Sequence, residues 1–238
     1  DKHTHINNSN RYRINAGYKD RGSLILFKNI YINGAENIIF CEIPNKSVTS
    51  QNICVVNHKT FPGFDFATKK IDCIIQISDT VIYLIQSNSN VIDCIKYNIK
   101  LKYKICEPPI IYPISFSIEF NYIFDQKIIG GFEHHNTIYF FTNESYLIYD
   151  YTLKQLKRRL VDIKNENDSI FFNQIKFKDV LTSVFKYNNL IYFTSNDNMI
   201  ILEIDNSGNF KVYKSNTKIK NIFPNIWDLN PETFNNKD

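Results

Sequence analysis

Three short runs, Ile82-Tyr83-Leu84, Ile138-Tyr139-Phe140 and Ile191-Tyr192-Phe193, hold equivalent places in three similar stretches of this chain, and Ile39-Phe40 is a degenerate copy ahead of them. Phe40, Tyr83, Tyr139 and Tyr192 are separated by 43, 56 and 53 residues. Each run is flanked by further β-branched and aromatic segments and by turns rich in Asn, Ser and Gly, the pattern of short strands. The clearest copy is Gly130 to Asp150, which reads as strand, turn, strand, turn, strand, with turns at Asn136-Thr137 and Asn143-Glu144-Ser145. Asn suits such turns because it tolerates left-handed backbone and its side chain bonds nearby main chain. A meander this small cannot bury its apolar faces alone, so the copies must pack on one another.

The spacing divides the chain. Residues 1–20 are polar and aperiodic and read as a flexible arm. The first unit, 21–70, holds SLILFKNIYI, the hairpin signal Asn33-Gly34, NIIFCEI and NICVVNH. The second, 71–125, holds CIIQI, VIYLI, VIDCIKYN and LKYKICE, then a connector broken by Pro108, Pro109 and Pro113. The third, 126–179, adds LKQLKRRLVDI as its outer strand. The fourth, 180–232, holds SVFKY, LIYFT, MIILEI and FKVYKS, followed by a short helical turn. Repeats of roughly fifty residues with four short antiparallel strands each predict an all-β chain forming one four-bladed β-propeller.

Composition bounds the function. At 43% apolar, with 19 Phe and 15 Tyr, the 238 residues can support a substantial core. The net charge of +4 is scattered, which argues against a nucleic-acid stripe. No run reaches the roughly 18 apolar residues of a transmembrane helix. The cysteines, Cys41, Cys54, Cys73, Cys94 and Cys106, form no C-x-x-C pair and no His/Cys cluster, so a zinc site is not indicated. Cys41 with Cys54, and Cys73 with Cys94, have the spacing of neighbouring strands, compatible with a disulfide or with small buried side chains.

The third unit, Ile138-Tyr139-Phe140-Phe141, a turn, then Tyr146-Leu147-Ile148-Tyr149-Asp150, resembles the hemopexin-like repeat, and the fourth, LIYFTSNDNMIILEID, resembles it more loosely. That resemblance implies a four-bladed propeller whose central channel holds an ion on main-chain carbonyls, beside Asp72 at the start of an innermost strand. Three features depart from the family pattern. Leu147 stands where the repeat has Trp, the Asp-Ala start survives only as Asp72-Cys73, and no Cys follows Cys106 to clasp the last blade to the first. Closure through Ile222, Phe223, Ile226 and Trp227 is the expected substitute.

No motif for a nucleophile or a metalloprotease is present, so no catalytic residue is assigned. His134-His135 is the one histidine pair, a candidate for haem or metal and otherwise an ordinary surface turn; adjacent strand residues point to opposite faces unless a turn intervenes. Tyr146, Tyr149 and Tyr151 are candidate partner anchors. Lys157, Arg158 and Arg159, in the run KQLKRR, offer either a basic patch or an edge strand guarded against mispairing. Asn7, Asn45, Asn143 and Asn167 begin N-x-S sequons in expected turns or loops. The sequence therefore reads as a non-enzymatic protein-binding module, secreted or surface-associated, acting within a larger complex. Haem or metal-ion binding is the alternative, and glycan adhesion the second.

Overall fold

The computed structural model describes residues 14–32, 35–43, 52–55, 61, 71–88, 91–104 and 127–223. Within them lie sixteen strands and one helical turn. The first unit contains β1 (Ala16–Asp20), β2 (Ser23–Ile32), β3 (Ala35–Ile43) and β4 (Asn52–Val55). The second contains β5 (Cys73–Gln76), β6 (Val81–Asn88), β7 (Val91–Asn98) and β8 (Tyr103–Lys104). The third contains β9 (Gly130–His134), β10 (Thr137–Phe141), β11 (Ser145–Asp150) and β12 (Gln155–Asp162). The fourth contains β13 (Ser183–Tyr187), β14 (Leu190–Ser195), β15 (Asn198–Ile204) and β16 (Phe210–Lys218), and α1 (Ile219–Ile222) follows.

Every unit is an antiparallel meander with neighbouring strands consecutive in sequence. One parallel contact, Val184 opposite Gly130, joins β13 to β9 and merges the third and fourth meanders into an eight-stranded sheet. The sheets are open, and β4, β8, β12 and β16 are their outer edges. The first strands of the units lie together: β1 contacts β5 and β13, and β9 contacts the same two.

The alternation along these strands explains the repeated apolar triplets. Leu24 and Leu26 pack with Tyr192, Met199 and Phe223 of the fourth unit, while Ile25 and Phe27 pack with Ile74, Leu84 and Tyr97 of the second. Ile138 and Phe140 face Ile75 and Ile85 of the second unit; Phe141 faces Val184 and Phe193 of the fourth. Successive side chains point to opposite faces, so a strand between two sheets must be apolar at every position. The core is accordingly four apolar layers, between units one and two, two and three, three and four, and four and one.

Several expectations are corrected. Ala16–Asp20 belongs to no arm; it is the first strand of the first unit, which therefore has four strands rather than three. Its hairpin turns on Arg21 and Gly22, both at positive φ, 47° and 86°. The turn after β9 falls on His135 and Asn136, one residue earlier than expected, with φ of 50° and 59° and Thr137 already paired to His134. Cys73 and Cys94 both flank Ile85 across β6, two strand spacings apart. That is roughly 10 Å, beyond disulfide reach. Cys41 pairs with Ile53 and Cys54 with Phe40, so those cysteines stand one residue out of register. The Asn33-Gly34 turn and Cys106 lie outside the described residues.

Candidate functional site

Two features of the third unit, both on its seam with the fourth, stand out. The first is the turn at His135-Asn136. Asn136 N donates to Glu133 Oε1 at 2.8 Å, and the Tyr151 hydroxyl donates to Asn136 Oδ1 at 3.3 Å. The positive φ of His135 brings its ring over that of His134, with centroids 3.9 Å apart and planes 25° from parallel. This differs from the opposed faces that strand geometry alone would give. His135 is exposed and His134 half-buried. The His134 ring meets Phe210 at 5.9 Å and lies against Gly208, in the turn between β15 and β16. From β13, Lys186 Nζ donates to the Glu133 carbonyl at 2.8 Å.

These surroundings set the charges. Burial holds the His134 imidazole below its ordinary value; the His135 and Lys186 charges push the same way, against the Gly208 backbone. Burial also lowers Lys186, opposed by Glu133. Burial, then Glu133, pushes the Tyr151 phenol up. No group of three or more His, Cys, Asp or Glu residues able to hold a metal occurs among the described residues.

The second feature is a cavity of about 250 Å³ between the β10–β11 turn and the segment after β12. Ile163, Phe172, Ile175, Phe177, Val180 and Leu181 supply its apolar wall; Asn143, Glu144, Lys164, Lys176 and Asp179 supply its polar lining. Backbone bonds fix both sides to the turn: Ile163 N donates to Glu144 O and Leu181 N to Asn143 O, each at 2.9 Å. Ser195 Oγ donates to Val180 O at 2.8 Å, and Asn196 Nδ2 to Asp179 Oδ2 at 3.2 Å.

Phe171 is the hub beneath this segment. It is fully buried and meets Tyr146 at 5.0 Å, Phe210 at 5.2 Å, Phe141 at 5.4 Å and Phe193 at 5.8 Å. It lies between β12 and β13, outside any strand. The signal for it was a Phe-Phe pair inside an otherwise polar stretch, which marks a loop folded back onto the core.

The sequence-predicted residues fall elsewhere or serve differently. Tyr146 and Tyr149 are buried and present no anchor to a partner. The Tyr146 hydroxyl accepts from Ile170 N at 3.1 Å and from Arg158 Nη1 at 3.4 Å, and Arg158 also donates to the Asp168 carbonyl. Both side chains thus fasten the segment that walls the cavity. Tyr151 is half-buried. Lys157 pairs with Asp150 at 2.9 Å. That carboxylate also accepts from Thr152 and from Leu153 N, which hold it far below the usual carboxylate range. Arg159 lies on β12, at the sheet edge. Asp72 is nearly buried and ion-paired with Lys127. Asn143 and Asn167 are exposed in turns. Phe223 is buried and Ile222 partly buried against the first unit. Asn7, Asn45, Ile226 and Trp227 lie outside the described residues.

No protein-family model matches the chain, and no curated protein matches it in sequence. Solved structures do match. A hemopexin fold protein, CP4 from cow pea, is 17% identical with a TM-score of 0.65, over 89% of this chain and 95% of that one. LS24, a seed albumin from Lathyrus sativus, is 16% identical with a TM-score of 0.62, over 92% and 98%. A plant lectin with two metal binding sites from Cicer arietinum is 16% identical with a TM-score of 0.61, over 89% and 96%. At these identities the likeness is one of fold, and the chain shares its all-β fold with a hemopexin-fold protein and with plant seed albumins and lectins.

Proposed function

We propose that the protein is a non-enzymatic binding module, a single four-bladed β-propeller that docks another protein at the cavity of its third unit. The closed disc is supported by the cycle of first strands, β1 to β5 to β9 to β13 and back to β1, and by apolar layers at all four seams. Such a disc holds its turns rigidly, which lowers the entropy lost on docking.

The observation that carries the docking site is the cavity of about 250 Å³, apolar within and charged at its edge. An apolar cavity of about 150 Å³ takes a benzene ring, and drug-sized ligands need about 300 Å³ or more. The space therefore suits one aromatic or branched side chain. Lys164 and Lys176 on one hand, Glu144 and Asp179 on the other, suit a partner segment carrying charges of both signs around that anchor. Indole and p-cresol, surrogates for Trp and Tyr side chains, test this by methyl NMR. The expected result is shifts at Ile163, Ile175, Val180 and Leu181, abolished by Val180→Asp and unaffected by Leu101→Asp on the second unit. Shifts at none of these methyls would overturn the reading.

A glycan-binding alternative is favoured by the fold shared with a plant lectin and by Glu133, Asn136 and Tyr151 converging beside the exposed His135 ring. A glycan array probed with wild type and Asn136→Ala separates the two readings. Secretion accords with the exposed sequon residues Asn143 and Asn167. Haem ligation is disfavoured, because His134 Nε2 faces Gly208 rather than open space.

A further inference from the structure

The turns of the third and fourth units meet at one place, and the meeting is made by histidine. β9 and β10 deliver His134 and His135; β15 and β16 deliver Gly208 and Phe210; β13 delivers Lys186. We propose that the stacked His134–His135 pair is a pH-operated latch on the seam between the third and fourth units, closed while both rings are neutral and released when both are charged.

The geometry gives the mechanism. Neutral imidazoles stack as aromatic rings do, and the His134 ring meets Phe210 edge-on at 63°. Gly208 allows the close approach: a Cβ there would lie 3.3 Å from His134 Nε2, and the backbone adopts φ of 80°. Adding a proton to each ring places two cations 3.9 Å apart, beside a third, Lys186. Like charges at that separation repel, more strongly where one ring is half out of water.

Among the charged groups around the pair, the His135 and Lys186 charges act on His134 in the lowering direction. Glu133 on β9 carries the acid beside the turn, and its carboxylate accepts from Asn136 N at 2.8 Å. Its carboxylate also partly offsets Lys186. In the β15–β16 turn, Asp205 is saturated by Ser207 N, Asn209 N and Lys211 Nζ at 2.7 to 2.9 Å. From β11–β12 the facing titratable group is the Tyr151 phenol, which is neutral across this range.

The sign follows from the direction of the His134 shift. A ring held below its ordinary value in the folded protein gains a proton when the seam opens. Stability is therefore full above about pH 6.5 and lost as pH falls through the range beneath it. Among the described residues the only histidines are His134 and His135, both at this seam.

Hydrogen exchange on the full chain at pH 7.5 and 5.0, corrected for intrinsic rates, tests the latch. Protection at Gly208 and Asn209 falls by roughly threefold or more on acidification in wild type. In His134→Gln it does not fall, while amides of β6 and β7 in the second unit stay unchanged throughout. Equal protection at both pH values in wild type overturns the proposal, as does an undiminished fall in His134→Gln. A second variant keeps it testable if that one misfolds. His135→Gln removes the exposed partner, and the NMR titration of the His134 ring then moves to higher pH. No movement overturns the coupling on which the latch depends.

Discussion

Tyr187, at the end of β13, donates its hydroxyl to the carbonyl of Gly22 at 2.6 Å, across 165 residues of sequence. The bond ties the last unit to the first hairpin, and it stands beside the apolar layer in which Leu24 and Leu26 meet Tyr187 and Tyr192. Tyr187→Phe keeps the ring and removes the bond. The expected cost is about 1 kcal/mol, or a Tm lowered by some 2–4 °C for a chain of this size. Thermal unfolding followed by circular dichroism measures it.

Gly17 on β1 makes the same seam in another way. A Cβ there would sit 2.6 Å from Phe185 Cδ2. Phe185 cannot yield, because it is fully buried and stacked on Tyr192 with centroids 5.0 Å apart and planes 4° from parallel. Gly17→Ala therefore overpacks the layer, at about 1–3 kcal/mol. Urea unfolding reads this as a lowered midpoint with an unchanged slope.

These two residues also show where sequence reading succeeds and stops. The repeat was legible because strands between two sheets are apolar on both faces, which writes Ile-Tyr-Phe runs at a recognisable spacing. β1 was missed because its sequence, Ala16-Gly17-Tyr18-Lys19-Asp20, has no β-branched residue. Crowding against Phe185 selects glycine there, and a lone glycine in a polar stretch does not announce a strand. Tyr146 and Tyr151 are of one residue type and five positions apart, and only tertiary packing buries the first and leaves the second half-exposed. The cavity was illegible for a similar reason. It exists because Tyr146 and Arg158 pin the 163–181 segment, and neither contact has a sequence signature. The His134–His135 pair was noticed, but its stacking depends on a positive φ at a histidine, which sequence does not specify.

Asp205 gives a pH dependence of the same sign as the latch, in a lower pH window. Lys211, then the Asn209 amide, hold its carboxyl down at about 2. A carboxylate so depressed stabilises the folded state above its ordinary value near 3.9, and the contribution disappears as pH falls toward 2. Asp205→Asn should therefore melt below wild type at pH 7, with the gap closing between pH 4 and about 2. A Tm difference that stays constant over that interval would locate the stabilising charge elsewhere.

Phe223 carries the last prediction. It follows the helical turn, is buried, and meets Tyr192 at 6.0 Å within the layer that Ile14, Leu24 and Ile43 share with the fourth unit. Ile219 N donates to Asp197 O, and Phe223 N to Ile219 O, at 2.8 and 2.9 Å, so the backbone delivers the ring to a fixed place. No disulfide is needed there if apolar burial alone holds the first and fourth units together. Phe223→Ala should then cost about 3–5 kcal/mol, because the cavity it leaves is walled by strands of two sheets that cannot both relax inward. At 2–4 °C per kcal/mol, the Tm falls by roughly ten degrees. Truncation after Asn221, which removes Ile222 as well, should fall at least as far. If both proteins melt with wild type, the seam between the first and fourth units is held by something other than this ring.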